Sequence, residues 1–366
     1  MLVLVVNAGS SSLKLRLLDD RDQAVESADL PARDSDVSDR ELTRTLRGWP
    51  APDATGHRIV HGGTRFTGPV LMDRAEEQAL RELTDLAPLH QPKSLAAYDA
   101  VRRLLPGVAA VACFDTAFHA SLPAAAATYA VPREWQQRYA VRRYGFHGLS
   151  HAYCSRRAAE LLGRQPAGLR TVTCHLGAGA SLAAVVNGRS VDTTMGFTPL
   201  EGLVMATRSG TVDPGLVLWL EQHEDLSPSA VADALEHRSG LLALAGTADM
   251  REVQARAAAG DEAATVAFDV FIHRLITGIG AMAAAAGGLD ALVFTGGVGE
   301  RSPVVRAAAA ERLGHLGVQI DAEHNDEVTG DADISHERAR VHTLVIAARE
   351  DIEIAQETRS VLAAGS

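Results

Sequence analysis

Lysine is almost absent from this chain: only Lys14 and Lys93 occur, so 33 of the 35 basic residues are arginine. Beside so much alanine, that imbalance reads as genomic base composition, and each arginine has to be judged by its neighbours. A basic face is also missing. With 46 acidic against 35 basic residues the formal net charge is -11, which argues against a nucleic acid or a membrane surface as general partner. Cys113, Cys154 and Cys174 are odd in number and far apart, giving neither a disulfide framework nor a CxxC metal pair. Reduced thiols and a cytoplasmic location are the expectation. The opening MLVLVVN has a short apolar run without a basic lead, as a buried first strand would. The alanine-rich stretch Ile279 to Leu289 is too weakly apolar, and too soon followed by Asp290, for a membrane span.

What is present is ample core. Hydrophobic residues make up 46% and charged ones 22%, the balance of a soluble globular enzyme, and 366 residues exceed what one core usually holds. Two α/β halves are expected. Leu2 to Val6 is a continuous apolar run, Leu13 to Leu18 alternates, and the NAGSSS turn joins them. Residues 19 to 56, polar and poorly periodic, read as peripheral. Asp73 to Leu86 and Lys93 to Leu105 read as helices, and Val108 to Phe114 as a strand that delivers Asp115 at its carboxyl end, where open α/β sheets bind ligands. A helix from Leu149 to Leu162 precedes a second strand at Leu169 to His175. There VTCHLGAGASLAAVV repeats the pattern of VVNAGSSSLKLRLL, with Gly9 and Gly177 at matching places, so the halves are either a duplication or two unrelated Gly-rich hairpins. A long helix from Asp261 to Gly287, a strand Ala291 to Thr295 feeding the turn GGVGE, and a final helix from about Arg349 to Leu362 complete the reading.

Five motifs carry the chemistry: VVNAGSSSLK at 5–14, HRIVHGG at 57–63, FDTAFH at 114–119, RRYGFHGLSH at 142–151, and GFTPLEGL with TRSG across 196–210. Each is rich in what phosphoryl transfer needs, namely turns that expose backbone N–H groups, fixed arginine charges, one His and one Asp. Gly9 allows the first turn while Ser10, Ser11 and Ser12 offer hydroxyls, although a Ser-rich turn can equally satisfy its own backbone. Asn7, at the strand end, can bond a phosphate or a metal-bound water. Arg58 lies in apolar sequence and needs an anion, either a substrate group or a structural carboxylate; Arg208, followed by Asp213, poses the same choice. His147 and His151 are spaced as HxxxH but lack the Glu of HExxH and an obvious third ligand, so His147 reads as a donor to a phosphoryl oxygen and His151 as structural.

Together and in this order the five motifs resemble the acetate kinase family, whose fold is the duplicated actin-like (ribonuclease H-like) ATPase fold with a nucleotide cleft between two domains. That resemblance implies an N-terminal domain over 1–148 with a C-terminal helix at about 352–366 packing back on it, and a nucleotide-binding domain over 149–351. It implies reversible Mg2+-dependent transfer between ATP and acetate, giving acetyl phosphate and ADP, in a homodimer. Asn7, Arg58, Asp115, His147 and Arg208 match the family residues around the transferred group, and Glu350 the one that holds magnesium with Asn7. Lys14, Ser10, Ser12, His175, Gly177, Gly179, Gly296, Gly297 and Gly299 fall on the nucleotide side. Val60, Leu89, Phe146 and Pro199, with Arg58, match the acceptor pocket; Val60 favours acetate over propionate.

Three positions depart from the family pattern: Ala178, Arg301 and Arg349 each stand where the family has Asn. All lie on the nucleotide side. They leave open a short-chain acyl kinase for propionate or butyrate, and a nucleotide-binding homologue with weakened catalysis or another phosphate donor.

Overall fold

The computed structural model describes residues 1–9, 12–31, 39–84 and 91–365. They divide into two compact units, the first of Met1–Ala120, Phe146–Tyr153 and Arg349–Ser366, the second of Ser121–Gly145 and Cys154–Ala348. Residues 121–145, placed before the boundary in the sequence reading, thus group with the second unit.

In unit 1, β1 (Val3–Ala8), β2 (Ser12–Leu18), β3 (Ala24–Pro31), β4 (Ala54–Ile59), β5 (Val70–Leu71) and β6 (Ala109–Phe114) form one sheet in the order β3-β2-β1-β4-β6-β5. β1, β4 and β6 run parallel, and β2, β3 and β5 are added antiparallel. Side chains alternate across a strand, so β1 feeds two cores. Leu4 and Val6 pack with Ala97, Ala100 and Val101 of the helix Gln91–Leu104, while Val3 and Val5 pack with Ile354 and Ala355 of the helix Glu350–Ala364.

The stretch 19–56 is not peripheral. It contains β3, the helix Asp39–Arg47 and the start of β4, a central strand between β1 and β6. β4 escapes notice because Thr55, Gly56 and His57 interrupt its apolar pattern, yet Thr55 and His57 are both buried. His57 bonds Thr55 Oγ1 at 2.9 Å and sets its ring edge-on to Tyr98. Gly56 is fixed by packing: a Cβ there would lie 2.4 Å from Thr358 Oγ1 and 2.7 Å from Ile354 Cγ2 of the final helix.

Unit 2 holds β7 (Arg170–Leu176), β8 (Ala180–Val186), β9 (Arg189–Thr193), β10 (Ala291–Thr295), β11 (Ala332–Asp333) and β12 (His342–Val345), in the order β11-β12-β10-β7-β8-β9. Substituting each strand's counterpart turns one order into the other, parallel and antiparallel pairs included. The repeat of hairpin and glycine turn is therefore a duplicated fold. The helix Glu262–Ala285 is capped by Asp261, whose side chain accepts from the Ala264 N–H at 3.1 Å. By length and composition alone it is apolar enough to cross a membrane. Its buried residues, Ala264, Ala267, Phe271, Ile272, Leu275, Ile279, Met282 and Ala283, fall at the i, i+3, i+4 spacing of one helix face, a stripe that packs on β7 and β8. GGVGE is not a turn; it opens the short helix Gly296–Arg301, with Gly296 at φ 77° and its Cα against the Leu176 carbonyl.

Gly56→Ala should lower stability by about 1–3 kcal/mol, the cost of overpacking a filled core. Urea unfolding of the variant would reveal this as an earlier midpoint at unchanged slope, and an unchanged midpoint would show that the final helix yields.

Candidate active site

Three parallel strands deliver their polar residues at the same end of the unit 1 sheet. β1 ends near Asn7, β4 presents Arg58, and Asp115 follows β6, the end at which such sheets bind ligands. Arg58 Nε donates to both Asp115 oxygens at 3.0 and 3.1 Å, and Nη2 donates to Oδ2 at 2.6 Å. Its Nη1 donates to Asn7 Oδ1 at 3.3 Å, and Asn7 Nδ2 donates to Glu350 at 2.7 Å. Four residues distant in sequence thus form one bonded chain. Glu350 opens the helix Glu350–Ala364, where the positive end of the helix dipole favours a carboxylate. Lys14 sits opposite Asn7 in the β1–β2 register, exposed.

Asp115 is only 1% exposed, and the Arg58 side chain 14%. Burial opposes charge on the guanidinium, but Asp115 and Glu350 outweigh it and hold Arg58 above its ordinary range. Burial pushes the Asp115 carboxyl up while Arg58 pulls it back. Of the two partners the sequence allowed for Arg58, the structure supplies the structural carboxylate.

His147 has φ 55°, in the left-handed region that glycine favours, and follows Gly145 at φ 74°. Gly148 explains how the turn closes: its N–H donates to the Asp115 carbonyl at 2.8 Å, and a Cβ would lie 2.2 Å from that oxygen. Val60 and Phe146 are both nearly fully buried in unit 1. Leu89 and Ser10 lie outside the described residues. His151 is completely buried, its ring 5.6 Å from that of His119, in keeping with a structural role.

Two residues that sequence reasoning passed over organise the loop after β4. Gln91, wholly buried, accepts from the His61 N–H through Oε1 and donates to the His61 carbonyl through Nε2, both at 3.1 Å. Thr116 Oγ1 accepts from the Gly62 N–H at 3.0 Å. His61 itself accepts from Gly63 N–H through Nδ1 and sets its ring edge-on to Phe146. Amides clamping a backbone leave no periodic signal; Gln91 carried none.

In unit 2, Arg208 Nη1 donates to the Pro199 carbonyl at 2.7 Å. Burial lowers its guanidinium from the ordinary value, with Glu236 opposing. No carboxylate lies within ion-pair distance of it among the described residues, and Asp213 is engaged in capping the helix Pro214–His223. The loop that carries Pro199 is held by a network the sequence did not announce. Tyr129 donates to Glu201, Arg143 Nη2 donates to Glu201 at 2.7 Å, and the Phe197 N–H donates to the Tyr129 oxygen at 3.0 Å. Gly196 leaves room for this network, since a Cβ there would meet the Glu201 carboxylate and the Tyr129 hydroxyl and displace them.

Gly177 and Gly179 form the β7–β8 turn, with Gly177 N–H donating to the Gly179 carbonyl at 3.0 Å, and His175 pairs with Thr295 in the β7–β10 register. Ala178 stands exposed at the turn's tip. Gly296, Gly297 and Gly299 lie in the short helix after β10, whose far end is gripped by Arg306. That guanidinium, 1% exposed, donates to the carbonyls of Gly299 and Glu300 at 2.9 and 2.8 Å and to Asn325. Of the substituted positions, Arg349 pairs with Asp351 at 2.9 Å, whereas Arg301 is exposed with no bonded partner among the described residues.

Asp115→Asn should cost about 3–5 kcal/mol, because it strands the buried Arg58 charge; a thermal or urea midpoint equal to that of the parent protein would contradict this. Burial also pushes His57 down to about 3, and His61 and His119 to about 4, from an ordinary 6.5. Kept neutral when folded, these groups take up protons on unfolding below pH 6.5. Their stabilisation is therefore complete above pH 6.5 and is lost as pH falls toward the folded values. The loss from pH 6.5 to 5 should approach about 1.4 kcal/mol per pH unit for each histidine. Chemical denaturation at pH 7, 6 and 5 checks this, and a flat profile would exclude it.

The acetokinase family profile matches residues 50–356. The acetate kinase of Nostoc punctiforme is 48% identical over 311 residues, covering 85% of this chain and 76% of its own. Among solved structures, Porphyromonas gingivalis acetate kinase superposes with a TM-score of 0.90 at 35% identity, covering 99% of both chains. A propionate kinase from Francisella tularensis superposes with the same TM-score and identity, covering 98% of this chain and 99% of its own. With the actin-like duplication of its two sheets and these likenesses along nearly its whole length, the chain belongs to the acetokinase family.

Proposed function

We propose that this chain is an acetate kinase, transferring the γ-phosphoryl group of ATP to a carboxylate oxygen of acetate and, in reverse, making ATP from acetyl phosphate. The observation that carries this reading is the contrast between two arginines. Arg58 is bound by Asp115 and Asn7, while Arg208, among the described residues, donates to the Pro199 carbonyl alone, which leaves the rest of its fork for an anion. In the forward direction an acetate oxygen bonds to phosphorus as the bond to the ADP oxygen breaks, and charge spreads over the equatorial oxygens. Arg208 and His147 meet that charge; Arg58, oriented by Asp115, binds the acceptor carboxylate.

Magnesium favours one or two carboxylates with its remaining positions filled by water and phosphate oxygens. Glu350 offers the carboxylate of such a set, with Asn7 beside it turning its amide nitrogen to Glu350 and its oxygen to Arg58. When bound there, Mg2+ would neutralise nucleotide phosphate charge. The Gly177–Gly179 turn, His175, the Gly296–Gly299 segment, Lys14 and Ser12 are assigned to the nucleotide, and Val60, Phe146, Pro199 and Leu89 to the acceptor. Homodimerisation in the cytoplasm accompanies this reading. The exposed Leu216, Leu218 and Trp219 on a helix with no buried residue support the former, and three buried cysteines outside any disulfide the latter.

The propionate kinase, matched as well as the acetate kinase by TM-score and identity, keeps a second acceptor in play. One methylene is worth about 1–3 kcal/mol, so propionate should be a slower substrate here and not an excluded one. Of the three replaced Asn positions, only Arg301 adds a free charge, available to a polyphosphate.

Trapping acetyl phosphate as its hydroxamate, with Mg2+, ATP and acetate beside propionate and a blank, decides among these. Acetate-dependent product above that from propionate is expected. ATP binding without product would leave the weakened homologue, and product only with another phosphate donor would leave the changed-donor reading. Arg208→Ala should cut kcat by roughly 10³- to 10⁵-fold with the fold intact; undiminished turnover would remove Arg208 from the mechanism.

A further inference from the structure

His119 is completely buried in the FDTAFH motif, and none of the roles above uses it. Its Nε2 lies 3.1 Å from the Phe146 carbonyl oxygen. A carbonyl only accepts, so Nε2 carries the hydrogen and donates. The peptide it holds is the one between Phe146 and His147, and His147 is the residue with φ 55°. A left-handed backbone is strained for a non-glycine residue and persists only where its surroundings over-determine it. Here they do so on both sides. His119 fixes the carbonyl before His147, and the Gly148 N–H, donating to the Asp115 carbonyl at 2.8 Å, fixes the amide after it. The His119 ring is itself wedged edge-on between Phe118 and His151, with centroids at 5.5 and 5.6 Å.

We propose that His119 is a positioning residue for phosphoryl transfer: through its hydrogen bond to the Phe146 carbonyl it holds the strained His147 backbone in the conformation that aims the His147 imidazole. Burial, which lowers the His119 pKa to about 4, keeps it a neutral donor throughout the working pH range. The proposal rests on the assignment of His147 to the transferred group. His119 touches no reacting atom, so its effect should appear in kcat and leave the KM for acetate and ATP near the parent values, because ground-state binding does not need an aimed His147.

His119→Phe keeps a ring and removes the donor, leaving a buried carbonyl unsatisfied. Such a loss corresponds to about a 10- to 100-fold drop in kcat. His119→Gln, whose amide N–H reaches about as far as Nε2, should restore kcat to within several-fold, and His119→Asn, one bond shorter, should not. The deciding measurement is a double-mutant cycle with His147→Ala. If His119 acts through His147, His119→Phe should change kcat little once His147 is gone; an additive loss means a general structural defect and overturns the proposal. Unchanged kcat in His119→Phe, or raised KM at unchanged kcat, also overturns it. Should His119→Phe not fold, the Gln and Asn variants decide, and equal kcat in those two is the disproof. Failure of the His147 assignment itself would look different, as full turnover by His147→Ala in otherwise parent protein.

Discussion

Taking Arg58 and Asp115 out of water together is the constraint around which unit 1 is arranged. Neither charge is tolerable alone at that depth, so β4 and β6 must be adjacent and parallel, ending at the same level. Once that holds, the remaining guanidinium nitrogen donates to Asn7 from β1, and Asn7 in turn engages Glu350. A sheet order, a strand ending and a helix start are thereby tied to one ion pair. The same pair keeps Arg58 from collapsing onto the nearest backbone oxygen, leaving a planar fork in fixed orientation.

The two units answer different demands with one topology. Unit 1 lines the carboxyl ends of its strands with charge and amide groups, which need partners and therefore a rigid network. Unit 2 has Gly177, Gly179, Gly296 and Gly297 at the corresponding ends, where no side chain stands between the backbone and its surroundings. Gly296 lies so near the Leu176 carbonyl that no side chain could intervene. Duplication supplied the frame, and the chemistry diverged at the strand ends.

How much of this could be read in advance follows from where the signals lie. β1 and β7 are apolar on both faces and declare themselves; their hairpins repeat, and the family motifs mark Arg58, Asp115, His147 and Arg208 at once. β4 was hidden because Thr55 and His57 are polar residues buried by their neighbours, a fact about packing that no window of eleven residues contains. The choice of partner for Arg58 was likewise open, since Asp115 comes from 57 residues away. Gln91, Thr116, His119 and the Tyr129–Arg143–Glu201 network act on backbone groups or on each other. Their importance is geometric, and composition carries no trace of it.

The helix Glu350–Ala364 belongs to unit 1 although all of unit 2 precedes it in the chain. During synthesis the strands β1 to β6 therefore leave the ribosome long before the segment that covers one face of their sheet, and Val3, Val5 and Val111 wait uncovered while unit 2 is being made. Unit 2, made of 121–145 and 154–348 with only 146–153 between them, is complete once residue 348 has emerged. The nascent protein is thus obliged to carry an open apolar face for most of its translation, a window in which chaperone binding or premature association competes with folding. The carboxylate of Glu350 arrives with the piece that closes it, so completion of the core and completion of the bonded chain at the site are one event.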